Sequence, residues 1–152
     1  MYKNILVAVD NDPRMGNVLD NAIRTALAYN SKLTICHIKK NTTIYNPIDP
    51  TGMLATTHVF VQDHSYSLDE ELDKAKEQAH AAGIKEVEIV QTYSSSPGIA
   101  IAEVIAPSYA VDLIVCGRSH KSSFNRFLLG SVSSNIVNYA HCDVKLIRSP
   151  KA

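Results

Sequence analysis

The chain has 152 residues, of which 45% are hydrophobic and 20% charged, and its formal net charge is zero. This length suits one domain, residues 1–152, with one hydrophobic core. A general nucleic-acid or anionic-membrane binder would carry an excess of Lys and Arg, so the balanced charge argues against both. There is no apolar run of about 18 residues and no signal-peptide pattern, which predicts a cytoplasmic protein without a membrane span.

The predicted elements alternate between strands and helices along the chain. Continuous apolar runs such as 5–9 are typical of strands covered on both faces, as in a parallel sheet. The predicted strands are residues 5–9, 33–38, 86–92, 112–116 and 143–148, and the predicted helices are residues 13–29, 67–82, 97–109 and 131–139. The order predicts a mostly parallel sheet with helices on both faces. The last strand is less uniformly apolar than the first, as expected of a strand at the sheet edge.

Local signals mark the ends of several helices. Asn30 and Gly83 can adopt the left-handed conformation that closes a helix. Ser67 begins a capping box and is predicted to open the second helix. Pro107 removes one helical hydrogen bond and clashes with the preceding turn, which predicts a kink or an early end there.

Two further segments carry expectations about packing and exposure. In the last helix, Val132, Ile136 and Tyr139 are predicted to face inward. Residues 39–64, rich in Asn, Thr and Pro near their start, show no sustained period and are predicted to form a long loop. A functional lid and a solvated insertion are equally good interpretations of such a loop.

The cysteines and histidines point to packing rather than to chemistry. Cys36, Cys116 and Cys142 are widely spaced, and we interpret them as reduced, mostly buried thiols. A redox role for Cys142 is an alternative. His37 lies in an apolar strand and is interpreted as a hydrogen-bonded core residue. No histidine pair has metal-ligand spacing, so we predict no metal site built from protein ligands alone.

The ends of two strands suggest where a ligand would bind. In doubly wound sheets, ligands bind beyond the carboxyl ends of the strands, at the point where the strand order reverses. Asp10 ends the first strand and Gly117 ends the fourth. If these strands are neighbours at the reversal point, Asp10 and the loop that follows Gly117 face one crevice.

That loop has the composition of a phosphate-binding segment. It ends with Gly130 and Ser131 at a predicted helix N-terminus, where N–H groups and the helix dipole favour an anion. Arg118, Lys121 and Arg126 add positive charge. The loop is neither a Walker A motif nor a Gly-x-Gly-x-x-Gly motif. On these residues alone, an ordinary capped helix with surface charges explains the pattern equally well.

Over its full length the sequence resembles the universal stress protein family. Residues 3–10 resemble the family's first strand with its Asp, and residues 37–38 resemble the His-Val step that ends its second strand. Residues 112–117 resemble its Asp-Leu-Ile-Val-x-Gly segment. The loop follows the nucleotide signature Gly-x2-Gly-x9-Gly-Ser/Thr as Gly117-x2-His120-x9-Gly130-Ser131.

The resemblance implies a fold, a ligand and an assembly. The fold would be a doubly wound five-stranded parallel sheet with strand order 3-2-1-4-5. Each subunit of a homodimer, joined through the last strand (143–148), would bind ATP without a dedicated catalytic centre. Magnesium could accompany the phosphates.

The resemblance also implies roles for particular residues. Asp10 would hold the ribose, Ala8 and Val9 would line the adenine pocket, and Ile38 would meet adenine through its main chain. The ribose and phosphates would be held by the signature residues and their neighbours: Gly117, Gly130, Ser131, Val132 and Ser133. Arg118 and His120 complete the predicted nucleotide-binding set.

The sequence departs from the signature at His120, where the family has its second Gly. If that backbone needs a positive φ, a residue other than Gly costs about 1–2 kcal/mol. The imidazole would then either intrude on the phosphates or donate hydrogen bonds to them, in which case affinity would rise at low pH.

We therefore predict a cytosolic stress-response protein that binds ATP, AMP or another adenine nucleotide and is regulatory, with at most slow ATP hydrolysis. The alternative is a nucleotide-free dimeric interaction module of the same fold, acting through protein partners as yet unknown. A phosphoacceptor receiver domain is less favoured, because the third strand ends at residues 90–93 without an Asp to accept phosphate. A serine hydrolase that uses Ser119 and His120 is also less favoured, because the sequence contains no Gly-x-Ser-x-Gly elbow.

Overall fold

The computed structural model describes residues 1–10, 15–40, 66–118 and 129–148. The strands are β1 (Asn4–Ala8), β2 (Lys32–Lys40), β3 (Val87–Ser94), β4 (Leu113–Gly117) and β5 (Asp143–Ile147). The helices are α1 (Met15–Tyr29), α2 (Tyr66–Ala81), α3 (Pro97–Ile99), α4 (Ala106–Ser108) and α5 (Ser131–Tyr139). A π-helical segment (Ala100–Ile105) joins α3 to α4.

The five strands form one parallel sheet in the order β3-β2-β1-β4-β5, which confirms the predicted fold. Ile5 of β1 pairs with Leu33 on one side and with Leu113 on the other. The chain passes from β1 to β2 on one side and returns to place β4 on the other. The strand order therefore reverses between β1 and β4, and β5 lies at the sheet edge as predicted.

The carboxyl edge of the sheet is stepped. The ladder between β1 and β2 ends at the pair Ala8 and Cys36. The ladder between β2 and β3 continues for four more residues, to the pair Lys40 and Ser94. The last part of β2 therefore stands beyond the end of β1.

The sheet separates two groups of buried apolar side chains. The side covered by α1 and α2 holds Ile5, Val7, Leu33, Ile35 and Val115, together with apolar residues of both helices. The opposite side holds Leu6, Cys36, Ile114 and Ile136, together with apolar residues of the π segment. We call these groups the α1 side and the α5 side. Alternate residues along each strand face opposite sides, because both faces of the sheet are covered.

Several predicted helix ends are confirmed. Asn30 has a φ of 53° and Gly83 a φ of 111°, so both adopt the left-handed conformation at the end of a helix. The Gly83 N–H donates to the His80 carbonyl at 3.0 Å, as in a helix C-cap. The second helix begins one residue before Ser67, at Tyr66.

The predicted break at Pro107 takes another form. The helix does not end at Pro107; it widens into the π segment just before it, and α4 continues to Ser108. The Ala106 N–H donates to the Ile101 carbonyl, one residue further back than in an α-helix. Since Pro107 has no N–H to donate, the wider turn lets it be accommodated within a helical segment.

The prediction for the last helix is wrong at two of its three residues. Ile136 is fully buried, but Val132 is 37% exposed and Tyr139 is 45% exposed. Ser133, which is 4% exposed, takes the inward position instead. The buried face therefore follows residues 133 and 136, because the hydroxyl of Ser133 has a hydrogen-bond partner in the interior.

The cysteines are free thiols. Cys36 and Cys116 are buried, which raises the pKa of Cys36 to about 12 and that of Cys116 to about 11. Cys142 is partly exposed. Of the predicted loop 39–64, residues 39–40 belong to β2 and the rest lie outside the described residues. Within the described ranges, no helix is both long and apolar enough to span a bilayer.

Candidate functional site

The predicted crevice lies at the carboxyl ends of β1 and β4, which are neighbours where the strand order reverses. Ala8, at the end of β1, packs against the α5 side. Asp10 follows two residues later and is exposed. The side chain of Val9 packs instead against the α1 side, so Val9 and Ala8 face opposite sides of the sheet. The carboxyl end of β1 therefore presents an exposed carboxylate, and Ala8 before it packs on the α5 side.

The end of β2 presents main-chain groups toward this crevice. The carbonyl of Cys36 accepts a hydrogen bond from the Val9 N–H at 2.9 Å. Ile38, two residues further along β2, presents its N–H and C=O on the same side of the strand. The described part of β1 offers them no ladder partner, since β1 pairing stops at Cys36. That the main chain of Ile38 meets adenine here, as the family resemblance implies, stays a prediction.

The N-terminus of α5 lies beside the carboxyl end of β4. Gly130 is its N-cap, with φ −63° and ψ 160°, and the Gly130 carbonyl accepts from the Ser134 N–H at 2.9 Å. These dihedrals are open to any residue, so Gly130 is not required for its conformation. Among the described residues no side chain caps this end of α5, and Ser131 is exposed. The N–H groups of the first turn thus leave an uncapped, partly positive end at the crevice.

A buried hydrogen bond fixes α5 to β4. The Ser133 hydroxyl donates to the Gly117 carbonyl at 2.7 Å. Gly117 itself is the last residue of β4, and a side chain there would meet Val18 of α1 at 3.0 Å. The Ser133 hydroxyl proton is already used, so a ligand could engage this oxygen only as an acceptor.

The remaining predicted residues are distributed as follows. Arg118 follows β4, and its main-chain N–H donates to the Ile147 carbonyl at 2.9 Å. Val132 is on the exposed part of the first turn of α5. His120 lies outside the described residues. The structure thus gathers Ala8, Asp10, Ile38 and Gly117 with the α5 N-terminus at one edge of the sheet.

His37 lies on the α1 side, and the Asp10 carboxylate is close enough to affect the pKa of the imidazole. His37 is 7% exposed, and its Nδ1 has no hydrogen-bond partner among the described residues. The core position is as predicted. Burial lowers the pKa of His37, Lys39 lowers it further, and Asp10 and Asp69 act in the opposite direction.

Comparison with known proteins identifies the family. The chain matches the universal stress protein family over residues 1–148. A protein of Staphylococcus haemolyticus named as a universal stress protein is 36% identical over 149 residues, covering 97% of this chain and 86% of the relative. The chain belongs to the universal stress protein family.

Solved universal stress proteins share the fold of this family member. A universal stress protein from Lactobacillus plantarum superposes with a TM-score of 0.75 at 23% identity, covering 97% of this chain and 98% of the other. A universal stress protein in complex with cAMP gives a TM-score of 0.70 at 24% identity, with 98% of each chain covered. A universal stress protein from Archaeoglobus fulgidus in complex with dAMP gives a TM-score of 0.65 at 22% identity, covering 95% of this chain and 97% of the other.

One structural residue of this universal stress protein gave no signal in the sequence. Gly98, in α3, is buried against α5, and a Cβ there would lie 2.5 Å from the Val132 carbonyl oxygen. In the sequence, Gly98 follows Ser and Pro and resembles an ordinary turn glycine. Close approach of two segments distant in sequence leaves no local pattern.

A second depression, at the opposite edge of the sheet, is separate from the crevice. It has a volume of about 600 Å³ and is lined by α1 and the start of β5, including Arg24, Tyr29 and Lys145. None of the predicted nucleotide-binding residues lines it.

Proposed function

We propose that this universal stress protein binds an adenine nucleotide in the crevice between β1, β4 and the α5 N-terminus. The observation that carries the proposal is the convergence of Asp10, the main chain of Ile38 and the uncapped end of α5 at one edge of the sheet. A carboxylate suits ribose hydroxyls, main-chain groups suit the edge of adenine, and a helix N-terminus suits phosphate. Solved relatives with cAMP and dAMP support the adenine part.

Each residue has a distinct role in this proposal. Ala8 lies beneath the base, with Val9 contributing main chain rather than side chain to the pocket. Phosphates lie at the N-terminus of α5, near Ser131. The remaining contacts to ribose and phosphate come from residues around the loop: Gly117, Arg118, His120, Gly130, Val132 and Ser133.

The proposed nucleotide is ATP, accompanied by magnesium. Mg²⁺ commonly binds through substrate phosphates, one or two carboxylates and water, and does not need a protein cage. Asp10 supplies a carboxylate close to the crevice. The proposed role is regulatory: nucleotide occupancy changes how a cytoplasmic homodimer interacts with its protein partners.

The proposed dimer forms through β5. In the described part of the chain this strand pairs with β4 only, and Leu146 is 37% exposed on it. An open strand edge with an exposed apolar side chain favours pairing with a second copy. Light scattering after gel filtration measures the mass directly, and a monomeric mass would overturn this part.

Calorimetric titration with ATP and magnesium tests the nucleotide proposal. Micromolar binding is expected, and Asp10→Ala should weaken it at least about tenfold because the ribose loses its acceptor. Asp73→Ala removes the same charge from the exposed face of α2 and should leave binding unchanged. Equal affinities for the Asp10 and Asp73 variants would contradict the assigned crevice.

His120→Gly separates the nucleotide proposal from its alternative. A wild-type chain that binds no nucleotide, with binding restored in His120→Gly, would show a crevice closed by that side chain. The function would then be the nucleotide-free interaction module. Tighter binding by wild type than by His120→Gly would show that the imidazole contacts the phosphates.

A further inference from the structure

Gly98 lies where α3 packs against α5. An added Cβ would be 2.5 Å from the Val132 carbonyl oxygen and 2.7 Å from the Asn135 Cβ. The first of these atoms is main chain, so it cannot turn aside as a flexible side chain would. The carbonyl would have to retreat by about 0.5 Å to reach even a 3.0 Å contact.

The first turn of α5 is held from two directions. Gly98 packs against Val132 on one side, and the Ser133 hydroxyl bonds to Gly117 on the other. A shift away from Gly98 therefore moves this turn relative to the end of β4. The ends of β1 and β2, in contrast, are held in register by the sheet ladder.

We infer that Gly98 is a positioning residue for the nucleotide site, because it sets where the N-terminus of α5 lies and thereby controls the phosphate half of the crevice. This inference rests on the proposed function. It predicts a split: changing Gly98 weakens contacts to phosphate and leaves contacts to adenine and ribose intact. A structural role alone would weaken both together or neither.

Calorimetric titrations with ATP plus magnesium and with adenosine measure the two halves separately. Gly98→Ala should weaken ATP about tenfold, since misplaced helix N–H groups lose their favourable geometry with phosphate. Its adenosine affinity should change by less than about twofold. Unchanged ATP affinity, or an equal loss for both ligands, would overturn the inference.

Two other glycines provide matched controls. Gly16 has nothing within 4 Å of an added Cβ, so Gly16→Ala should change neither affinity. Gly83 has a φ of 111°, so Gly83→Ala should lower the melting temperature through strain, far from the crevice. Loss of ATP affinity in Gly83→Ala equal to that in Gly98→Ala would mean that general destabilisation explains the effect.

A double variant supplies a rescue and a second route if Gly98→Ala does not fold. Asn135→Gly removes one of the atoms that the new Cβ would meet, although Gly within a helix lowers its stability. Relative to Gly98→Ala, the double variant should regain only part of the ATP affinity, because the Val132 carbonyl oxygen still lies 2.5 Å from the new Cβ. If only the double variant folds, weakened ATP with normal adenosine supports the inference, and normal affinity for both overturns it.

Failure of the proposed function has its own signature. A wild-type chain that binds neither ATP nor adenosine overturns the nucleotide proposal, and the inference with it. A crystal structure of Gly98→Ala in which α5 has not moved overturns the inference alone.

Discussion

The buried hydrogen bond between Ser133 and Gly117 gives a measurable prediction for stability. The Ser133 hydroxyl lies 2.7 Å from the carbonyl oxygen and is 4% exposed, so water cannot easily replace it. Ser133→Ala should therefore cost about 1.5–2 kcal/mol for the lost bond and its unsatisfied acceptor. Alanine returns about 0.5 kcal/mol through helix propensity, which leaves a net loss of about 1–1.5 kcal/mol.

Ser134→Ala is the matched control for this prediction. Ser134 is the next residue of α5, and its hydroxyl has no hydrogen-bond partner within the described ranges. The Ser134→Ala variant gains the same helix propensity without losing a hydrogen bond. The difference in unfolding free energy between the two variants therefore isolates the contribution of the Ser133 hydrogen bond. Urea unfolding at one protein concentration should separate their midpoints by roughly 1 M. Coincident midpoints would show that the hydrogen bond between Ser133 and Gly117 does not stabilise the packing of α5 on β4.

Two further predictions concern pH and the start of β1. The pKa of His37 is lowered by burial, so the unfolded state takes up the proton first. The unfolding free energy should fall as pH drops below 6.5. In urea titrations at several pH values, the unfolding free energy of His37→Gln should depend less steeply on pH. Identical pH slopes for the two proteins would count against a role of His37 in this effect. Asp112 accepts from the Lys3 and Asn4 N–H groups at 2.7 and 2.9 Å, which lower its pKa. Asp112→Asn should cost about 1 kcal/mol at neutral pH, a loss that shrinks as pH falls below 3.8; a constant difference across pH would exclude the carboxylate.

The strands were predictable because their signals are local. Runs such as Ile5 to Val7 are apolar on both faces, and burial on both faces is what the structure shows. Asn30 and Gly83 were predictable as helix ends for a similar reason, since few residues tolerate a positive φ. The strand order was not available from periodicity and came from the family resemblance.

The misjudged positions depend on partners distant in sequence. Hydrophobic periodicity placed Val132 and Tyr139 inward, whereas the buried position belongs to Ser133 because the Gly117 carbonyl is there to accept its hydrogen bond. Pro107 predicted a kink or an early end, but a π segment accommodates it, and Ile101 and Ile105 of that segment stay buried on the α5 side. For the candidate site, the positions at the strand ends could be predicted from the sequence, whereas the close packing of Gly98 against Val132 could not.

The way α5 is anchored has a consequence for how the molecule opens. Within α5, Ile136 is the one apolar side chain that is fully enclosed, whereas α1 buries five. Elements with few enclosed apolar groups open at the lowest free energy, and local opening is what amide exchange reports. In the absence of any ligand, α5 should therefore exchange its amide protons before α1 does. An anion bound at the N-terminus of α5 would stabilise the closed form of this helix. It would therefore slow amide exchange in α5 before it changes the free energy of global unfolding.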